Sequence, residues 1–279
     1  MKYSEFLSDQ PQLSHFQSAR ATLRDIAIST LSYVPRPQPK NWIRPIYGHG
    51  IFKDQVANFE RNIKNCLNIG EFISTDELHG ILAHNLPIDG KLFHLSFDDG
   101  FRNVLKEGKD VLEKYSIPAI IFVNPKSVNT NLEESSKFCE ESLLNPFAIE
   151  FCTWEDLRAA KAANIDIGSH TFSHKRLSTI SSDPDLMKFE ILESKNKLEQ
   201  ELSIPINHFS WPHGTKKDID NVSLECIKNA GYLTCFSAVR GSITEGKNTD
   251  PFYIPRHQIE TQYPDRHTRY FLNGGAEKI

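Results

Sequence analysis

Two carboxylates, Asp98 and Asp99, stand side by side in the stretch LSFDDG (95–100), after an apolar run and directly before a glycine. Like charges that close raise each other's pKa and cost stability unless a cation or a proton-transfer task absorbs them. A plain Asp-Gly turn is the bland alternative. A second chemistry-bearing group is GSHTFSH (168–174), in which His170 and His174 are four residues apart. On one helical turn or in a tight loop both imidazoles can face one point. Two histidines and a carboxylate form a three-ligand set for a catalytic zinc, with the remaining position left for water. A lone His-x-x-x-His means little, but here it and the Asp pair each follow a strand candidate of one domain.

Two further stretches have the same placement. In FSWPHG (209–214), Pro212 and Gly214 would hold a fixed loop, and such loops present backbone N–H groups to a developing oxyanion. A structural turn explains the same residues. In IPRHQI (254–259), Arg256 and His257 fall at the last strand end, where His257 is a candidate proton donor or simply a hydrogen-bonded surface residue.

These groups need elements that bring strand ends together. Strand candidates are 92–97, 118–124, 165–169, 207–211, 232–236 and 252–256, and helical patterns lie near 102–115, 154–163, 185–202 and 218–230. The alternation predicts a parallel α/β arrangement, an open sheet or a barrel, with functional groups at the carboxyl edge of the strands. The polar stretch 125–152 reads as an excursion or lid. Residues 1–90 read as a helical extension packed on a main domain at 91–279. In the extension, Phe16, Ala19, Leu23, Ile26 and Leu31 form a roughly helical stripe. We read it as packing against the main domain rather than lying on a membrane, because its polar face is not strongly basic. The stretch PRPQPK (35–40) ends that helix. A second helix is expected over about 54–68, and Ser74 with Glu77 has capping-box spacing for a third.

Net charge is −4 over 279 residues, with Lys and Arg spread along the chain, so neither nucleic acid nor an anionic membrane is suggested as main partner. The five cysteines contain no Cys-x-x-Cys pair, which argues against a thiolate zinc site and for a reducing compartment. No apolar run approaches the 18 residues of a spanning helix, and the N-terminus lacks a signal core. The expected location is cytoplasmic, with a position peripheral to the inner membrane as a variant.

In order and spacing, SFDDG (96–100), HTFSH (170–174) after TWEDLRAAKAANIDIGS, then FSWPHG, NAGYLTCFSAVRG (229–241) and FYIPR resemble the polysaccharide deacetylase superfamily, carbohydrate esterase family four. The preamble, with YGHGIFKDQVANFERNI (47–63), is similar to the N-terminal part of bacterial surface-polysaccharide deacetylases. The resemblance covers roughly residues 90–260 and implies a distorted parallel (β/α) barrel of about seven strands. It implies that Asp99, His170 and His174 bind a divalent metal, usually zinc, with cobalt, nickel or manganese as alternatives, and that Asp98 is the general base. The backbone N–H of His213 would face the oxyanion. Trp211, Pro212 and Tyr47 are candidates to contact the sugar, with His49 beside them at the cleft edge; for Trp211 the alternative is burial in the core.

Two positions depart from the family pattern. The arginine that commonly touches the base in the third motif is replaced by Ser210, and Arg256 is a candidate substitute. The fifth-motif histidine has only His257 as an equivalent, with His213 as runner-up. The implied activity is metal-dependent removal of an N-acetyl or other N-acyl group from an amino sugar, in a glycan or a nucleotide- or lipid-linked precursor. The alternative is a catalytically impaired family member serving as a carbohydrate-binding or scaffolding subunit.

Overall fold

A computed structural model describes residues 2–9, 15–34, 36–245 and 249–277, with only the backbone described for 15–21. Among the described residues nine strands form one sheet: β1 (Trp42–Gly48), β2 (Glu71–Phe72), β3 (Lys91–Phe97), β4 (Ala119–Val123), β5 (Ile165–Ser169), β6 (His208–Ser210), β7 (Thr234–Phe236), β8 (Ile243–Thr244) and β9 (His257–Gln258). The order is β7-β6-β5-β4-β3-β1-β8, with β2 beside β3 and β9 beside β1. Every pairing is parallel except β8 on β1. Strands of such a sheet are covered on both faces and read as nearly continuous apolar runs. AIIFV of β4 is buried at every position.

The sheet closes through residues 254–258. Ile254 bridges Phe236 of β7 and His257 pairs with Ile46 of β1, both in parallel. The result is the expected distorted (β/α) barrel, with a seam of one bridge on one side and two paired residues on the other. The strand expected over 252–256 is therefore shorter and later, because Pro251 and Pro255 remove ladder donors around Ile254.

The expected boundary at residue 90 is corrected by β1. Its seven residues, WIRPIYG, are all buried between β3 and the closing segment, so the preamble supplies a barrel strand and not only helices. Arg44 and Pro45 mask its apolar pattern in the sequence. Arg44 is buried, with its charge met by Glu277 at 3.1 Å and by hydrogen bonds to Gln38 and Ser242 at 2.8 Å each.

Helices Val56–Leu67, Thr75–Ala83, Trp154–Ala162 and Asn221–Asn229 lie where periodicity places them. Ser74 and Glu77 form the expected capping box. The patterns at 102–115 and 185–202 each contain a π-helical turn, Val104–Gly108 and Phe189–Glu193, inside otherwise α-helical stretches. The excursion carries a helix of its own, Leu132–Glu141.

The first helix, His15–Leu31, departs from expectation. The expected contributions of Phe16 and Ala19 lie outside the described side chains. Leu23, Ile26 and Leu31 are exposed, and the half-buried positions are instead Asp25, Ile28 and Ser29. The helix leans on Asp265–Leu272, a C-terminal helix that sequence reading leaves out.

Candidate functional site

Alternation along the strands sets the site. On β3, residues 94, 96 and 98 point one way, and Asp98 follows the strand's last residue into the mouth of the barrel. Arg256, just before β9, reaches the same point from the closing segment. Its two terminal nitrogens donate to the two carboxylate oxygens of Asp98, each at 2.8 Å. Its remaining donors go to Ser96 Oγ at 3.0 Å, Ser210 Oγ at 2.8 Å and the Ser237 carbonyl at 2.7 Å. The guanidinium also stacks 4.3 Å from the Tyr47 ring. Both charges of this pair are buried. Burial pushes the Asp98 carboxyl up, but the Arg256 guanidinium outweighs it and holds the group down at about 2.

Asp99 behaves oppositely. Burial pushes its carboxyl up, and its neighbours Asp98 and Glu260 add to the shift. Its Oδ1 lies 3.6 Å from His170 Nε2 and 3.4 Å from His174 Nε2. Side-chain ligand atoms of these three buried residues all fall within 4.8 Å of one another. The far ring nitrogens fix the tautomers: His170 Nδ1 donates to the Ser210 carbonyl at 2.7 Å and His174 Nδ1 to the Ser142 carbonyl at 3.0 Å. A carbonyl only accepts, so a proton sits on each Nδ1, and each Nε2 faces Asp99. Burial, with His170 and His213 alongside, keeps His174 well below the ordinary histidine range and so neutral. Two imidazoles, each held through Nδ1, and a carboxylate are the donor chemistry of a divalent cation such as zinc. The set fits a metal.

The loops that carry these ligands are held against their preferences. Asp99 (φ 73°), Thr171 (φ 64°), His174 (φ 61°) and His213 (φ 63°) all occupy the left-handed region, which is uncommon for residues other than glycine and most of all for a β-branched one. Polar contacts hold them there. Asn124 donates to the His170 and Thr171 carbonyls. Glu190, a buried carboxylate on the π-helical turn, accepts from the Ser173 backbone N–H at 2.8 Å and from its hydroxyl.

The other expected residues are distributed as follows. His213 stands beside the ligands, its ring 5.0 Å from that of His174, and its backbone N–H has no hydrogen-bond partner among the described residues. His257 is turned away: one residue after Arg256, it faces the opposite side of the strand and is fully buried. Its Nε2 meets Glu277 at 2.8 Å and Nδ1 faces Arg240, so its ring does not face this site. Trp211 is 1% exposed, packed on Tyr253 with Nε1 donating to the Thr215 carbonyl, and offers no free face to a sugar. Pro212 is buried as well. Tyr47 backs Arg256 instead of edging the cleft, and burial pushes its hydroxyl up.

What sequence reading undervalues is His49, two residues further on, and what it misses is Glu260. His49 Nδ1 meets Glu260 Oε1 at 2.6 Å. Burial works against charging this imidazole, but Glu260, with Asp99 and Asp98 behind it, raises it to about 10. Beyond Asp99 lies a cavity of about 250 Å³ lined by His49, Glu260 and Asp99, with Phe52, Phe101 and Ile149 as apolar wall. The signal for His49 is YGHG at the carboxyl end of β1, legible only once β1 is known to be a barrel strand.

Residues 86–235, more than half of the chain, match the family profile described as polysaccharide deacetylase. The chain belongs to the polysaccharide deacetylase family. Among curated relatives, poly-beta-1,6-N-acetyl-D-glucosamine N-deacetylase of Escherichia coli is 20% identical over 181 residues, 56% of this chain. That alignment spans only 26% of the relative's own length. Among solved structures, IcaB from Ammonifex degensii has a TM-score of 0.65 at 18% identity, over 85% of this chain and 98% of that one. A Streptococcus pyogenes deacetylase, PplD, has a TM-score of 0.63 at 17% identity, over 80% and 95% of the two chains. At such identities the structural likeness shows that this polysaccharide deacetylase family member shares their fold.

Proposed function

We propose that this protein is a metal-dependent hydrolase that removes an N-acyl group, foremost acetyl, from an amino sugar of a glycan or of its nucleotide- or lipid-linked precursor. The observation that carries this reading is the position of Asp98: an ionised carboxylate clamped by Arg256 directly beside the Asp99, His170 and His174 donor set. A purely structural metal site has no use for that extra group. The Escherichia coli relative, whose name states N-deacetylation of an N-acetylglucosamine polymer, supports the substrate class.

Asp99, His170 and His174 would hold the cation. Once bound, it would lower the pKa of water to about 7 and polarise the acyl carbonyl. Asp98 takes the proton of the attacking water. Arg256 keeps Asp98 ionised and aimed, in the place of the arginine that the third family motif lacks here. The unpartnered N–H of His213 donates to the oxygen that gains charge when the carbonyl carbon becomes tetrahedral. His49, cationic and oriented by Glu260, gives the proton on which the amine leaves, so that one water is consumed and an acid and an amine are released. Its side chain, 36% exposed at the mouth, makes it a better donor than the buried His257. The five cysteines are free thiols, which suits the cytoplasmic location expected from the sequence.

The test is acetate release from N-acetylglucosamine oligomers by protein loaded with zinc or cobalt, alongside Asp98→Asn. The expected result is turnover by the wild type and none by the variant, with equal metal content in both. A loaded wild type that releases no acetate from any acetylamino sugar would overturn the hydrolase reading in favour of a carbohydrate-binding subunit.

A further inference from the structure

The excursion at residues 125–152 comes back to the barrel mouth over Ser142–Asn145. The Ser142 carbonyl accepts from the ligand candidate His174 at 3.0 Å. Leu143 and Asn145 line the cavity of about 250 Å³ that His49 and Asp99 also line. Leu144, between those two, therefore stands at the rim of that cavity. Its φ is 55°, in the left-handed region, an outlier for a bulky side chain. That side chain is apolar and 76% exposed. The turn is pinned from both sides: the Leu143 N–H donates to the Phe138 carbonyl at 3.3 Å and the Asn145 N–H to the Cys139 carbonyl at 2.8 Å. The Phe147 N–H closes it on Asn145 Oδ1 at 3.2 Å. The fold thus holds Leu144 in a strained conformation while leaving its side chain largely uncovered. Strain of this kind collects at ligand clamps.

The cavity beside it indicates the ligand. An amide under hydrolysis has its carbonyl at the donor set and its nitrogen within reach of the proton donor. The group carried by that nitrogen then lies in the cavity that His49 lines. The lining is of two kinds, apolar at Phe52, Phe101 and Ile149 and polar at Asn145, Glu260 and Gln262. A pyranose ring is divided in the same way, with C–H groups on its faces and hydroxyls round its edge. The cavity is smaller than the roughly 300–1,000 Å³ of sites for drug-sized ligands and suits one ring.

From this we infer that the cavity seats a single amino-sugar ring and that Leu144 is a specificity-determining contact, covering the apolar face of that ring. The inference rests on the hydrolase reading for the position of the nitrogen, and it assigns sugar binding to the tip of the excursion.

The test combines steady-state kinetics and calorimetric binding of N-acetylglucosamine to the zinc-loaded full chain. Leu144→Gly keeps the left-handed turn and removes only the side chain. It should raise KM about tenfold while kcat changes far less. Leu144→Met, which restores an apolar side chain, should recover most of the loss. Affinity is measured in the Asp98→Asn background, so that no sugar is turned over, and Leu144→Gly should weaken it by a similar factor. Equal metal content and circular dichroism melts check that each variant is folded. Turnover by the wild type with KM and affinity unmoved in Leu144→Gly would overturn the inference and leave the hydrolase reading standing. Weakened sugar binding in Leu144→Gly, with no acetate released by the wild type, would support the ring seat and overturn the hydrolase reading. A loaded protein that binds no acetylamino sugar would overturn both.

Discussion

Arg256 grips Asp98 with both arms of its guanidinium, at 2.8 Å each, across 158 residues of chain. Fork-to-fork pairing of this kind fixes direction as well as charge. Removing the fork while leaving the carboxylate buried strands an uncompensated charge, which typically costs about 3–5 kcal/mol. Arg256→Met is therefore expected to lower unfolding stability by about that amount in urea titration. In Arg256→Lys the charge remains and the geometry goes. The pKa of Asp98 should rise from about 2, so the acid limb of the kcat profile moves to higher pH.

His49 and Glu260 predict the basic limb. The imidazole must be protonated to release the amine, so activity should persist as pH rises until His49 titrates at about 10. In Glu260→Gln the partner charge is gone and the pKa of His49 falls, so the basic limb of kcat/KM moves down while the metal content is unchanged. His49→Gln should cut kcat by on the order of 10²-fold or more. A pH profile of the two variants against wild type checks both.

The loop that carries both histidine ligands depends on Glu190, which accepts two hydrogen bonds from Ser173 between them. Loss of a partner behind a metal ligand generally costs about 10–100-fold in affinity. Glu190→Gln is expected to weaken zinc binding within that range, read by competition with a chromophoric chelator at neutral pH. Substitution of the distant surface residue Lys197 serves as control.

Acid should destabilise the fold from inside the barrel. His94 and His208 are buried, and burial holds their pKa values down at about 3 and about 4. In the unfolded chain both titrate near 6.5. The unfolded state therefore binds more protons between these limits, and stability falls as pH drops from about 6.5 toward 4. Urea midpoints across that range should decline, and His208→Gln should flatten part of the slope.

The parts of this protein legible from its sequence are those whose cause is local. SFDDG and HTFSH state their chemistry by residue type and spacing, and the Ser74–Glu77 capping box by two residues three apart. The strand β4 declares itself as an unbroken apolar run, because a parallel sheet buries both of its faces, and β3 and β5 show through apolar residues that His94, Ser96 and Asp166 interrupt. These pointed to a parallel α/β fold and the three-ligand set, while the barrel and the role of Asp98 came from the family resemblance.

Tertiary structure decided what depends on partners distant in the chain. β1 hides in the sequence because Arg44 and Pro45 interrupt it, and it becomes a strand only between β3 and the closing segment. The choice between Arg256 and His257 turns on strand phase: adjacent residues point to opposite faces, so closure of the barrel sent the arginine to Asp98 and the histidine to Glu277. His49 gained its charge from Glu260, 211 residues away. The outward turn of Leu23 and Ile26 followed from which face of their helix met the C-terminal one, since helical periodicity marks a stripe without saying what it will face.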